Sequence, residues 1–165
     1  MNQLEYINNK IIKDWSSIKS TLSLWHFKEE KIVFTNGCFD IVHKGHIDYL
    51  SKAKDLGSKL IIGLNTDTSV KRLKGEDRPI NNEESRALLL AAFEFADLII
   101  LFDEETPYDL IKFIQPDILV KGNDYKPEDI VGYDILKAKG GEIKTLDFID
   151  GFSSTSIIKK IQSLK

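Results

Sequence analysis

The chain has 165 residues, enough for one well-buried domain and too few for two ordinary ones. Apolar residues make up 42% and charged residues 30%, and no apolar run approaches membrane-spanning length, so a globular chain without a membrane partner is expected. A net charge of −3 argues against a broad nucleic-acid footprint; a single cysteine and an N-terminus without a basic flank and apolar stretch point to a reducing cytoplasm.

Leu4, Ile7, Ile11, Trp15, Ile18, Leu22 and Trp25 recur at steps of three or four. That spacing predicts one amphipathic helix in an N-terminal extension over 1–30, its stripe buried on the same domain or at a homodimer contact. From residue 31 onward apolar runs alternate with helical patterns. Strands are expected at 31–36, 60–64, 98–102, 118–121 and 142–146, and helices starting near His46, Asn82, Pro107, Glu128 and Ser154, with Gly57 and Gly140-Gly141 as stops. Five strands separated by helices predict an α/β domain over 31–165, a doubly wound five-stranded parallel sheet of Rossmann-like type. In such open sheets ligands bind beyond the carboxyl ends of the strands, where strand order reverses.

The first of these strands runs into Asn36-Gly37-Cys38-Phe39-Asp40-Ile41-Val42-His43-Lys44-Gly45-His46. A small-residue turn followed by two imidazoles about one helical turn apart brings backbone N–H groups and neutral donors to a helix N-terminus, which suits a phosphate. Surface histidines and a metal site of His43, His46, Cys38 and Asp40 are the rivals. Gly37 and Gly45 mark close-approach backbone, and a single cysteine with no further ligand pair leaves the metal without support. Lys44 reads equally as a solvated chain or a phosphate contact. Cys38 reads as packed rather than reactive, since no acyl-transfer constellation accompanies it.

Further along, Lys71-Arg72-Leu73-Lys74-Gly75-Glu76-Asp77-Arg78 is expected as a basic loop after the second strand, on the ligand side. Val120-Lys121-Gly122-Asn123-Asp124 closes the fourth strand with a cation, a turn and two polar side chains. Turn chemistry alone accounts for Gly-Asn-Asp, but this strand should flank the first across the crevice, which brings Lys121 within reach of a phosphate. Finally, Ser153-Ser154-Thr155-Ser156 precedes an amphipathic helix and must supply its cap. Four hydroxyls exceed what capping needs.

Taken together, the motifs carry a resemblance. The His-x-Gly-His window resembles the signature of the nucleotidyltransferase superfamily that includes the cytidylyltransferases and phosphopantetheine adenylyltransferase. Thr35-Asn36-Gly37-Cys38-Phe39-Asp40, with Leu64-Asn65-Thr66-Asp67 and Val120-Lys121-Gly122-Asn123-Asp124-Tyr125, is similar to the D-glycero-β-D-manno-heptose 1-phosphate adenylyltransferases, from about residue 31 to the C-terminus. The resemblance implies transfer of AMP from ATP to the heptose 1-phosphate, giving ADP-heptose and pyrophosphate for lipopolysaccharide or another surface glycan. Mg²⁺ would bridge the phosphates without a dedicated protein site. The residues implied as catalytic are His43, His46 and Lys74. Asn36, Gly37, Cys38, Phe39, Gly45, Lys121, Gly122, Asn123, Asp124, Ser154 and Thr155 would hold the nucleotide, and Asp67, Lys71 and Lys74 the sugar phosphate.

A sugar-phosphate nucleophile has a second pKa of about 6 and is largely dianionic at neutral pH, so no general base is needed. Positioning and electrostatic stabilisation should dominate. The family domain often occurs fused to a sugar kinase; no such domain is read here, so a separate sugar kinase and phosphatase upstream are expected. The rival enzyme is a CTP-dependent glycerol 3-phosphate cytidylyltransferase. A rival of another class is a nucleotide-binding regulatory module without turnover, which would not need donors aimed at a transition state.

Overall fold

The N-terminal apolar stripe does not form one helix. In a computed structural model, which describes residues 1–122, 126–149 and 151–164, it divides into α1 (Gln3–Asn8), β1 (Ile11–Ile12), a 3-10 turn (Trp15–Ile18) and α2 (Lys19–Phe27). Local chemistry sets the breaks. Asn2 and Glu5 form a capping box that starts α1, and the Asp14 side chain accepts from Ser16 N to open the 3-10 turn. Between them two β-branched residues pair in parallel with Ile99 and Ile100, while Trp15 Nε1 donates to the Leu101 carbonyl at 2.8 Å. The expected helical spacing is therefore met by separate pieces, and among the described residues the sheet has six strands rather than five.

The other strands are β2 (Ile32–Gly37), β3 (Lys59–Asn65), β4 (Leu98–Phe102), β5 (Ile118–Gly122) and β6 (Glu142–Leu146), all parallel, in the order β1-β4-β3-β2-β5-β6. Their central residues are apolar in near-continuous runs, so both faces need covering. Among the described residues, six helices follow β2. These are α3 (Lys44–Lys54), α4 (Asp67–Lys74), α5 (Glu83–Ala91), α6 (Tyr108–Ile114), α7 (Tyr133–Lys139) and α8 (Ser154–Gln162). On one face Val33, Leu60, Ile62 and Ile99 pack with Leu50 and Ala53 of α3 and Leu90 of α5. On the other, Phe34, Ile61 and Ile100 pack with Leu22 of α2, Ile111 of α6 and Leu136 of α7. The sheet is doubly wound, as the alternation of runs and helices predicts. Leu50 and Leu90 are fully buried, and truncating either to Ala removes about 2–5 kcal/mol.

Two boundaries differ from the sequence expectation. The stretch expected as a basic loop contributes its first four residues to α4, which Thr66 caps by accepting from Ser69 N at 3.2 Å. The helix expected near Glu128 starts at Tyr133, because a 3-10 turn (Pro127–Asp129) and Gly132 at φ 92° come first. At its far end Gly140, at φ 77°, ends α7 in the left-handed conformation that glycine adopts without a Cβ penalty.

Along β2, β3 and β4 the chain steps outward on one side, then returns to place β5 on the other side of β2, with Val33 opposite Ile118. Strand order reverses between β2 and β5. None of the described helices is long and apolar enough to cross a membrane.

Candidate active site

At that reversal the carboxyl ends of β2 and β5 open into a cleft of about 410 Å³, lined among others by Asn36, Gly37, Cys38, Phe39, His46, Asn65, Lys74, Lys121, Gly122 and Ser154. Lys121 Nζ donates to Asn36 Oδ1, linking the two strands across the crevice. On the β6 side, Phe148 stacks on Tyr49 with ring centroids 4.9 Å apart, and the Tyr49 hydroxyl pairs with Thr35 Oγ1 at 2.9 Å. Aromatic, cationic and amide groups thus converge on one concavity.

His43 stands at the N-cap of α3 without a side-chain hydrogen bond to the helix, whereas Thr66, Asn82 and Ser153 cap α4, α5 and α8 through their side chains. The first turn of α3 therefore keeps its backbone donors clear of a side-chain cap. His46, one turn on, stacks on His43 with centroids 3.8 Å apart and planes at 20°. The Nδ1 atoms of both rings are buried and have no partner among the described residues. Burial lowers the pKa of His43, while burial together with His43 and Lys74 brings that of His46 down to about 4. Both imidazoles are neutral at pH 7, each with one N–H to give. Gly45 lies between them for want of room, since a Cβ there would lie 3.1 Å from His43 Nδ1 and 3.2 Å from Phe152 Cβ.

A buried ionic scaffold holds the loop that carries these rings. Asp40 is buried; its carboxylate accepts from Arg78 Nε at 2.6 Å, Ile80 N at 2.8 Å and Asn81 N at 3.0 Å. Burial alone would raise its pKa, but the N–H groups of Asn81 and Ile80 and the Arg78 guanidinium hold it below the usual carboxylate range. Arg86, 0% exposed, donates to the carbonyls of Cys38, Asn65 and Asn81 at 2.7, 2.8 and 3.0 Å and to Asp67 Oδ1 at 2.7 Å. One guanidinium thereby ties together the ends of β2 and β3 and the segment before α5. Phe39, within this loop, has a left-handed φ of 45°, a conformation that costs a non-glycine residue about 1–2 kcal/mol. Its ring is nevertheless buried against His46.

Of the residues singled out in the sequence, Asn36, Gly37, Cys38, Phe39, His46, Lys74, Lys121, Gly122 and Ser154 line the cleft. Outside that lining, His43 stacks on His46 and Gly45 packs against the His43 ring. Asp67 is drawn away by Arg86, Lys71 pairs with Glu76 at 3.9 Å, and Thr155 is exposed outside the lining. Asn123 and Asp124 lie outside the described residues. The cap of α8 is Ser153, which accepts from Ser156 N at 3.0 Å, so Ser154 is released to donate to the Ile41 carbonyl. Burial pushes the Cys38 thiol up against the pull of Lys74 and Arg86, which keeps it protonated. Arg78, the last residue of the expected basic loop, is in the scaffold rather than on a phosphate, and the sequence reading leaves out Arg86, Tyr49 and Phe148. Only Arg86 left a signal: it shares the buried stripe of α5 with Leu90, four residues on.

A family model described as Cytidylyltransferase-like matches residues 34–160. Among curated relatives, a bifunctional protein HldE of a Nitratiruptor species is 52% identical over 93% of this chain and 32% of its own length. One from Campylobacter jejuni subsp. doylei is 56% identical over 93% and 32%. The chain thus spans about a third of the length of the curated relatives it matches. A lipopolysaccharide core biosynthesis protein from Thermoplasma volcanium, known from its crystal structure, aligns with a TM-score of 0.58 at 29% identity, covering 73% of this chain and 97% of that one. The family match takes in every cleft-lining residue and both histidines, and the chain belongs to the cytidylyltransferase-like family.

Proposed function

We propose that this chain transfers AMP from ATP to D-glycero-β-D-manno-heptose 1-phosphate, releasing pyrophosphate and ADP-heptose. The observation that carries this reading is the stacked, neutral His43–His46 pair at the N-terminus of α3, with Lys74 and Lys121 on the cleft. In the step, a phosphate oxygen of the sugar phosphate attacks the α-phosphorus of ATP, and the bond from that phosphorus to the pyrophosphate oxygen breaks. The nucleophile is already ionised, so no proton has to leave it. What must be managed is negative charge, and neutral N–H donors, two ammonium groups and backbone amides fixed before the substrates arrive do that without reorganisation.

With the phosphates at the imidazoles, the nucleoside extends toward β5 and β6. There the Phe148–Tyr49 stack offers an aromatic face to the base, and Ser154 and Gly122 contribute polar contacts. The sugar phosphate then occupies the β3–α4 side beside Asn65 and Lys74, with Lys71 farther out and Asp67 supporting the segment through Arg86. Mg²⁺ would come with the triphosphate: the cleft carboxylate, Asp40, is consumed by Arg78, Ile80 and Asn81, and no group of three metal-ligating side chains occurs among the described residues. In this reading residues 31–165 form the transferase domain in a reducing cytoplasm, and residues 1–30 complete its sheet.

The choice of ATP and heptose is supported by the likeness of the three motifs and by the relatives named above. With Mg²⁺ present, ATP and the heptose 1-phosphate should release pyrophosphate faster than CTP and glycerol 3-phosphate. Equal or better turnover of the second pair would transfer the chain to the cytidylyltransferases.

A further inference from the structure

The rings at the histidine pair continue beyond it in both directions. Phe39 meets His46 edge-on, with centroids 5.2 Å apart and planes at 66°; His46 lies on His43 at 3.8 Å; and His43 faces Phe152 at 6.3 Å with planes at 28°. Four side chains thus form one column. Its inner end is sealed, Phe39 being 7% exposed, and its outer end is Phe152, 42% exposed. Phe152 belongs to the segment leading into α8, a helix with no buried residue. Two contacts fasten that segment to the histidine loop: Ser154 Oγ donates to the Ile41 carbonyl at 3.0 Å, and Lys44 Nζ lies 5.8 Å from the centre of the Phe152 ring.

Nothing polar among the described residues fixes the Nδ1 side of either imidazole. Ring orientation about the terminal torsion is broad when hydrogen bonds do not select it, so here the faces must do the selecting. His46 stacks on a face of His43 at 3.8 Å, and Phe152 is the other ring that lies near-parallel to it. We propose that Phe152 is a positioning residue: by closing the outer end of the ring column it sets the plane of His43, so that both imidazoles address the same phosphate. Docking of the segment before α8 is then a condition for assembling the transfer site. This rests on the transferase reading above. The charged groups around the column are Lys44 from α3 and Lys74 from α4, with Asp40 of the loop already engaged by Arg78, Ile80 and Asn81. The same ring keeps water from His43, whose depressed pKa is due to burial.

The test uses the full chain with Phe152→Ala, Phe152→Leu and Phe152→Tyr, read in two ways. In pyrophosphate release, Phe152→Ala should lower kcat by roughly 10- to 100-fold, the loss expected of a small misplacement, with far less change in KM for ATP. Phe152→Leu restores apolar bulk without the plane and should stay slow, while Phe152→Tyr should recover most of the rate. In histidine-ring NMR, Phe152→Ala should move the His43 titration up toward the ordinary imidazole range. The His26 signal serves as reference, since that ring hydrogen-bonds the Ile114 carbonyl at the other end of β5. Wild-type kcat in Phe152→Ala overturns the proposal. If His43→Ala and His46→Ala leave turnover intact, the transferase reading is what fails. The titration then decides the column on its own, an unchanged His43 curve in Phe152→Ala overturning it and a raised one sustaining it.

Discussion

Two concavities open on the carboxyl edge of the same sheet, and the larger is not the one that fits a substrate. It measures about 510 Å³ and lies at the ends of β1 and β4, lined by Asp14, Trp15, Thr66, Glu83, Asp103 and Glu104 among others. Its polar groups are spent on the fold. Asp14 accepts from Ser16, Trp15 donates to Leu101, Glu83 accepts from Asp67 N, Thr66 and Arg72 donate to Asp103, and Glu104 accepts from Asp103 N. Four carboxylates would also repel a triphosphate. The smaller cleft, between β2 and β5, has the opposite sign: it is lined by Lys74, Lys121 and His46, with His43 stacked on His46, and the Nδ1 atoms of both imidazoles lack a partner among the described residues. Volume is a poor guide to function here. Uncommitted donors and the sign of local charge separate the two.

The contrast breaks most easily at the buried cation that shapes the smaller cleft. Arg86→Ala removes the donor shared by three carbonyls and the cation beside Asp67, and should cost at least about 3 kcal/mol in urea unfolding, since each buried polar group left unsatisfied costs about 1–3 kcal/mol. A variant as stable as its parent would mean that something other than this guanidinium fixes the loop.

Next in size are the imidazoles. His43→Ala or His46→Ala should each lower kcat by about 10²- to 10³-fold, with a smaller effect on ATP affinity. Near wild-type kcat in both would make the rings structural. The pH dependence sharpens the point. With His46 at about 4 when folded, against an ordinary 6.5, the unfolded chain takes up this proton first as pH falls. Its contribution to stability is therefore complete above the ordinary value and is lost progressively between the two. Across that window the folded imidazole stays neutral, so the acid limb of kcat/KM should follow the sugar phosphate, near a pKa of about 6. His46→Gln should leave that limb in place, and a limb that moves with the substitution would make His46 a titrating base.

Smaller effects separate Ser153 from Ser154. Ser153→Ala should lose about 0.5–2 kcal/mol of stability as a missing cap while keeping ATP affinity. Ser154→Ala should weaken ATP binding by calorimetry at least tenfold if the hydroxyl turns from the Ile41 carbonyl to a phosphate oxygen when ATP binds, since a hydrogen bond to a charged group contributes about 1.5–3 kcal/mol. Unchanged affinity would leave Ser154 as a clasp on Ile41. The smallest effect belongs to the larger concavity, where Glu104→Ala should change stability by no more than about 0.5 kcal/mol and turnover not at all. A clear fall in turnover would bring that acidic hollow into the reaction and undo the contrast.

Much of this was legible in the sequence, for reasons that particular residues make plain. The five long strands announce themselves because runs such as Leu98–Phe102 are apolar on both faces, and only a covered parallel strand tolerates that. The ligand side followed from strand direction alone. Ile11–Ile12 could not be recognised as a strand, because two residues carry no period and their spacing from Ile7 and Trp15 also suits a helix. The short polar helix α4 was hidden by its charges, although Thr66 is the kind of residue that caps a helix. Within the site, the glycines and histidines declare their chemistry locally. Phe148 and Phe152 reach it only through the folding together of distant segments, and no spacing in the chain encodes that.

The brevity of β1 has a consequence for the molecule's solution behaviour. Every residue of β4 is buried and apolar, and its outer edge is met by two strand residues, by the Lys10 carbonyl, which accepts from Ile99 N at 2.8 Å, and by Trp15 Nε1, which donates to the Leu101 carbonyl. At the opposite margin β6 presents Glu142 paired with Lys31 and Lys144. One margin is blunted by shortness and the other by charge, two ways a sheet is kept from recruiting a neighbouring chain. The first dozen residues thus act as a cover on an aggregation template. A chain trimmed to begin at β2 would keep every cleft residue and still present β4 as a bare ladder to its own copies.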